Sequence, residues 1–88
     1  MVNIEKMSKK RIENLIWDLE EWMCLVGREE DWLTNEDDDV EEMFGSKGGY
    51  LEALIEWVSD HVCEEDGRNP KWWESHGFTK SEAKWLAG

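Results

Sequence analysis

The sequence predicts an all-α fold, a small helical bundle of two long and two or three short helices, on three observations. Two segments repeat apolar residues at three- and four-residue steps, residues that cap or stop helices bracket them, and no window alternates with period two over the length of a strand. An 88-residue chain has core enough for one domain and little to divide, so residues 1–88 read as a single acidic helical domain.

The first long helix is expected over residues 9–26, where Ile12, Leu15, Ile16, Leu19, Met23 and Val26 fall on one face. Ser8 suits its N-cap and Gly27 the position past its end, with an earlier start at Asn3, through Ile4 and Met7, left open. A short helix follows, capped by Thr34 or Asn35 and reaching Phe44, with Val40, Met43 and Phe44 as its apolar residues. After the loop at 45–49, a second long helix is expected from Gly49 or Tyr50 to Glu65, with Leu51, Leu54, Ile55, Val58 and Val62 inside and Gly67 beyond its end. Asn69 and Pro70 form an N-cap and first-turn pair opening a turn or two of helix that Gly77 stops. Thr79 with Glu82 three residues on is a capping box for a last helix carrying Ala83 and Leu86.

The chain also resembles itself. Ile12, Leu15 and Ile16 fall on Leu51, Leu54 and Ile55 at a shift of 39 that places Cys24 on Cys63, and with short insertions Trp32 falls on Trp72 and Val40 on Ala83. A duplication would make residues 11–45 and 50–88 two helical hairpins about a pseudo-two-fold axis, although any two amphipathic helices in a Trp-rich chain align to some degree.

Charge is concentrated in the middle. Acidic residues outnumber basic ones 22 to 10, for a formal charge of -12. Between Ile12 and Asp66 there are 19 acids and two bases, Arg28 and Lys47, while both flanks are net basic. Nine carboxylates crowd residues 29–42, among them Asp37, Asp38 and Glu41; acids at 36–38 suit a first helical turn, where they complement the macrodipole. On the second long helix, Glu52, Glu56, Asp60 and Glu64 form a row opposite the core face, each step i to i+4 and about 6 Å along the axis. Like charges so placed cost a few tenths of a kcal/mol per pair. Either the row is a plain solvated face or it is a ridge presented to a basic partner.

Composition and spacing exclude much chemistry. With this many acids, some carboxylate pair meets any spacing rule, so pairing carries no catalytic signal. Cys24, Cys63, His61 and His76 lack a nucleophile signature, a CxxC or an HxxxH, and two cysteines in so small a chain read as reduced, half-buried thiols. The run Asp37-Asp38-Asp39-Val40 lacks the alternation and glycine of a calcium loop, and the glycines at 45–49 lack the ending of a phosphate loop. No metal, cofactor or catalytic residue is expected. Direct nucleic-acid binding is disfavoured, because it depends on Lys and Arg neutralising phosphates. The first eleven residues hold no apolar run of signal-peptide length and no segment approaches a membrane span, which points to a cytoplasmic protein.

Apolar residues make up 40% of the chain, which argues against a disordered acidic tail, and seven of them are Trp. Trp32, Trp72 and Trp85 are expected to close over the long helices. Trp17 lies about 150 degrees from the centre of its helix's apolar face, and Trp57 flanks its own core face beside Glu56 and Asp60. Aromatic anchors within an acidic surface suit a contact with a basic protein groove, and equally a homodimer seam.

In size, charge and lack of a catalytic set the chain resembles the small acidic proteins that phages and other mobile elements encode against host defence or DNA-handling enzymes, some of which imitate DNA. The resemblance implies a non-enzymatic inhibitor acting in the host cytoplasm, an anti-CRISPR or anti-restriction protein for example, whose partner has a basic nucleic-acid-binding groove. Glu52, Glu56, Asp60, Glu64, Asp37, Asp38, Glu41, Trp17 and Trp57 would then form the contact. The rival reading is an oligomerising or adaptor module joined through its exposed Trp residues, and a third is a surface adapted to high salt.

Overall fold

Capping decides where most of the helices begin. The computed structural model describes residues 2–27 and 37–88, with the backbone alone at Asp37 and Asp38. The expected caps Thr34 and Asn35, and Trp32, lie outside the described residues. Helix α1 is Lys9–Leu25, opened by the Ser8 hydroxyl, which accepts the Arg11 N–H at 3.2 Å. The chain before it forms a separate 3-10 turn, Ile4–Lys6, cut off from α1 by extended backbone at Met7 and Ser8; Asn3 makes no side-chain cap. Gly27, at φ +68°, ends α1 as expected.

Helix α2 is Asp37–Phe44 and α3 is Lys47–His61. Helix α3 starts ahead of the expected Gly49 because Ser46 supplies the cap, its hydroxyl accepting the Gly49 N–H at 3.1 Å. Gly48 and Gly49 thus belong to the first turn and answer to close packing. A Cβ at Gly49 would stand 2.4 Å from the Phe44 carbonyl oxygen, so α2 can turn into α3 this tightly only at a glycine.

The second long helix does not reach Glu65. Val62 is extended (ψ 146°), and the chain restarts as α4, Glu64–Gly67, which the apolar periodicity did not foretell. Electrostatics favour the break: Glu64, Glu65 and Asp66 would burden the negative end of a continued α3, whereas here they fill the first turn of a new helix. Helix α5, Pro70–Ser75, is capped by Asn69, and Gly77 at φ +104° stops it. Helix α6, Lys80–Leu86, has the expected reciprocal box between Thr79 and Glu82.

Helices α1 and α3 pack together at the centre; α2 and the 3-10 turn lie on α3, while α5 joins α4 and α6. Leu15, Leu19, Met23, Leu51, Leu54, Ile55 and Val58 are buried as expected, with Ile12, Ile16 and Val62 half-buried around them. Each fully buried aliphatic side chain contributes about 1.5 to 3 kcal/mol. Val26 is exposed, since α1 has ended before it. Tyr50, Trp57, Trp73 and Phe78 complete the core together with Val40 and Ala83. Edge-to-face rings run from Trp57 to Trp22 (6.2 Å), Trp72 (5.6 Å), Trp73 (4.9 Å) and Phe78 (5.7 Å), tying α3 to α1 and α5. The buried Trp73 indole donates to the Gly67 carbonyl at 2.9 Å.

Of the positions paired by the internal resemblance, Cys24 lies in the last turn of α1, whereas Cys63 stands just ahead of α4, beyond the end of α3. Val40 and Ala83 are both buried, each in a helix followed by a glycine of positive φ, Gly45 and Gly88. Both cysteines stand exposed as thiols rather than half-buried.

Candidate functional site

The outer face of α3 carries the carboxylate row, shortened by the break at Val62. Glu52, Glu56 and Asp60 are all exposed, spaced one i to i+4 step apart, and among the described residues none has a basic partner. Glu64 leaves the row: it stands on α4 and pairs with Arg68 at 2.8 Å. Glu41 is exposed on α2, and the side chains of Asp37 and Asp38 lie outside the described residues.

Beside the row runs a groove of about 610 Å³ between the N-terminal segment, α3 and α6. All three carboxylates of the row line it, joined by Glu5 from the 3-10 turn, and its apolar side includes Ile55 and Leu86. Trp85 stands in its wall, 57% exposed, rather than closing over the long helices. Helix phase explains this. Ala83 is the buried apolar residue of α6, beside the buried Glu82 that Arg11 holds, and a side chain two positions on points about 200 degrees round from Ala83.

Trp57 takes the opposite course. Expected at the interface, it is only 8% exposed, because the Trp22 ring from α1 packs against it edge to face and the His61 ring stacks on it at 3.9 Å. An indole at the margin of a helix's core face folds inward when the neighbouring helix offers it a ring. Trp57 therefore closes the seam between α1 and α3, and Trp85 is the aromatic residue beside the row. The capping box at Thr79 fixed the phase of α6 and so held the signal for Trp85; Glu5 had none, being remote in sequence. Trp17 is exposed as expected, at 71%, its indole N–H donating to Glu21 at 3.2 Å.

Other polar groups near α1 are engaged within the fold. Arg11 forms a two-pronged ion pair with Glu82, one contact at 3.0 Å, and its hydrogen bond is the main reason the Glu82 carboxyl is held below the usual range. The same bond raises the Arg11 guanidinium. Lys47 reaches Glu13 at 3.0 Å, and His76 Nδ1 meets Asp18 at 2.5 Å. Glu20 is pushed upward by burial. Among the described residues no three His, Cys, Asp or Glu side chains gather to hold a metal ion, and no helix is long and apolar enough to cross a membrane. Comparison with protein-family models, with curated proteins and with solved structures finds no match for this chain.

Proposed function

We propose that the chain is a non-catalytic, protein-binding inhibitor of the kind mobile elements encode, which lays the outer face of α3 in the nucleic-acid groove of a basic partner. The observation that carries this reading is the row Glu52, Glu56 and Asp60, exposed and without a basic partner among the described residues. Steps of about 6 Å along the helix are of the order of phosphate spacing, one charge per about 3.4 Å of rise on each strand, lengthened by the winding path. A line of negative charge of this kind steers a basic groove to rapid association that weakens as salt screens it.

The test uses DNA-binding proteins recovered on DNA-cellulose from a bacterial lysate and offered to the immobilised chain. A protein that the chain retains, that duplex DNA displaces, and that the Glu56→Lys, Asp60→Lys double variant no longer holds supports the reading. Retention indifferent to both DNA and charge reversal would sink it. The second reading, an adaptor or homodimer, is favoured by the exposure of Trp17 on the far side of α1. Sedimentation that shows a dimer, reduced to monomer by Trp17→Ala, would establish it.

A further inference from the structure

We infer that the groove between the N-terminal segment, α3 and α6 seats an arginine side chain of the basic partner, stacked on Trp85 and held by the carboxylates of Glu56 and Asp60. The inference rests on the proposed function for the existence of that partner and adds where and how it is gripped.

Charge singles out this groove. No Lys or Arg is among the residues that line it, whereas Lys9 and Lys47 line the hollow beside the start of α3 and Arg68 lines the one beside α4. Those two hollows hold their own counter-charges, and Glu5 and Glu52 border the first of them as well; Glu56 and Asp60 line this groove alone and are left to a cation from outside. Its apolar residues narrow the choice of cation. Ile55 and Leu86 offer a surface for a methylene stem, and the exposed Trp85 indole offers a face for a charged head.

Lysine would satisfy the charge, yet arginine fits better. A guanidinium is planar, stacks on an indole, is more weakly hydrated than an ammonium, and presents forked donors to a carboxylate. A phosphate would be repelled by the same walls. A divalent ion needs several oxygen ligands converging on one point, and among the described residues no three His, Cys, Asp or Glu side chains gather to hold one.

The experiment titrates the full chain with an arginine nonapeptide and with a lysine nonapeptide of equal charge at 0.15 M salt, following the indole N–H signals by nuclear magnetic resonance. Trp85 is assigned by the signal lost in Trp85→Phe. The expected result is a shift centred on the Trp85 indole and an affinity for the arginine peptide about five- to tenfold above that for lysine. Trp85→Ala should bring the two peptides to parity, and Glu56→Gln with Asp60→Asn should weaken both. Equal affinities in the parent chain, or shifts centred on Trp17, overturn the inference. The two readings fail separately. If Trp85→Ala keeps the partner that DNA displaces while Glu56→Lys with Asp60→Lys loses it, the arginine seat is wrong and the inhibitor stands; if neither variant loses it, the inhibitor reading falls.

Discussion

The outer faces of α1 and α3 are both acidic, but they differ in what their charges do. On and beside α1, Arg11 holds Glu82, Glu13 holds Lys47, Asp18 meets His76 and Glu21 accepts from Trp17, so most of the polar groups have partners within the fold. On α3, Glu52, Glu56 and Asp60 have no basic partner among the described residues. An overall excess of acid accounts for the negative sign of both faces and for neither arrangement. The α1 charges fasten α5 and α6 to the centre, while the α3 charges remain available to water or to a partner. Counting carboxylates would not have separated the two; finding their partners does.

The largest effect expected is on the aromatic seam. Trp57→Ala removes a buried indole that meets both Trp22 and His61, and should cost about 3 to 5 kcal/mol in urea unfolding. A loss below about 1 kcal/mol would return Trp57 to the surface and break the distinction between the seam and the α3 face.

Next in size is the Arg11–Glu82 pair. Glutamine can still accept the Thr79 N–H in the capping box, so Glu82→Gln isolates the charge and should cost about 1 to 2 kcal/mol. The pH profile sharpens the point. Glu82 is held low, so its contribution is present above the unfolded value of about 4.3 and is lost as pH falls through the folded value. Glu20 is held high by burial, so its effect has the opposite sign: stability rises as pH falls through its folded value and is fully gained below about 4.3. Stability should therefore pass through a maximum at mildly acid pH. Glu20→Gln should flatten the rise on its alkaline side and Glu82→Gln the fall on its acid side. A monotonic profile that neither substitution alters would show that these groups do not govern it.

Local signals were legible in the sequence and tertiary ones were not. Ser8, the Asn69 and Pro70 pair, and the Thr79 and Glu82 box each set a helix start through bonds spanning three residues or fewer, and such bonds can be read from the chain. The break at Val62 was hidden because the apolar step from Val58 to Val62 continues across it, while the Glu64, Glu65 and Asp66 run that favours a new start follows later. Losing that turn removed Glu64 from the row. The exchange of Trp57 for Trp85 has another cause: helix phase gives a side chain's direction, but Trp22 on a different helix decides whether it is covered.

Charge reversal on α3 should change stability little, and in the favourable sense. In the parent, Glu52 faces Glu56 and Glu56 faces Asp60, two like-charge steps. Glu56→Lys with Asp60→Lys makes the first an attractive Glu-to-Lys step, leaves the second repulsive, and places a cation in the last turn of α3, where it suits the helix dipole. The gain should be about 0.5 kcal/mol, measured by urea unfolding at low salt and shrinking as salt is added. A loss above 1 kcal/mol would mean that the row supports the fold, and the contrast with α1 would vanish.

The smallest effect belongs to Trp17, and it tests the other side of the comparison. Its indole is 71% exposed and is tied to the fold by its bond to Glu21 one turn on. Exposed hydrogen bonds contribute little, and alanine's higher helix propensity, worth about half a kcal/mol over tryptophan, works against the loss. Trp17→Ala should therefore leave the unfolding free energy within about 0.5 kcal/mol of the parent. The comparison with Trp57→Ala is internal, since the residue type and the deletion are the same and burial alone separates them. If Trp17→Ala costs as much as Trp57→Ala, α1 packs on both sides and its outer face is not a surface. If it is neutral for folding but abolishes a dimer seen by sedimentation, that face is the seam of an assembly, and the α3 row is left as the face turned toward other partners.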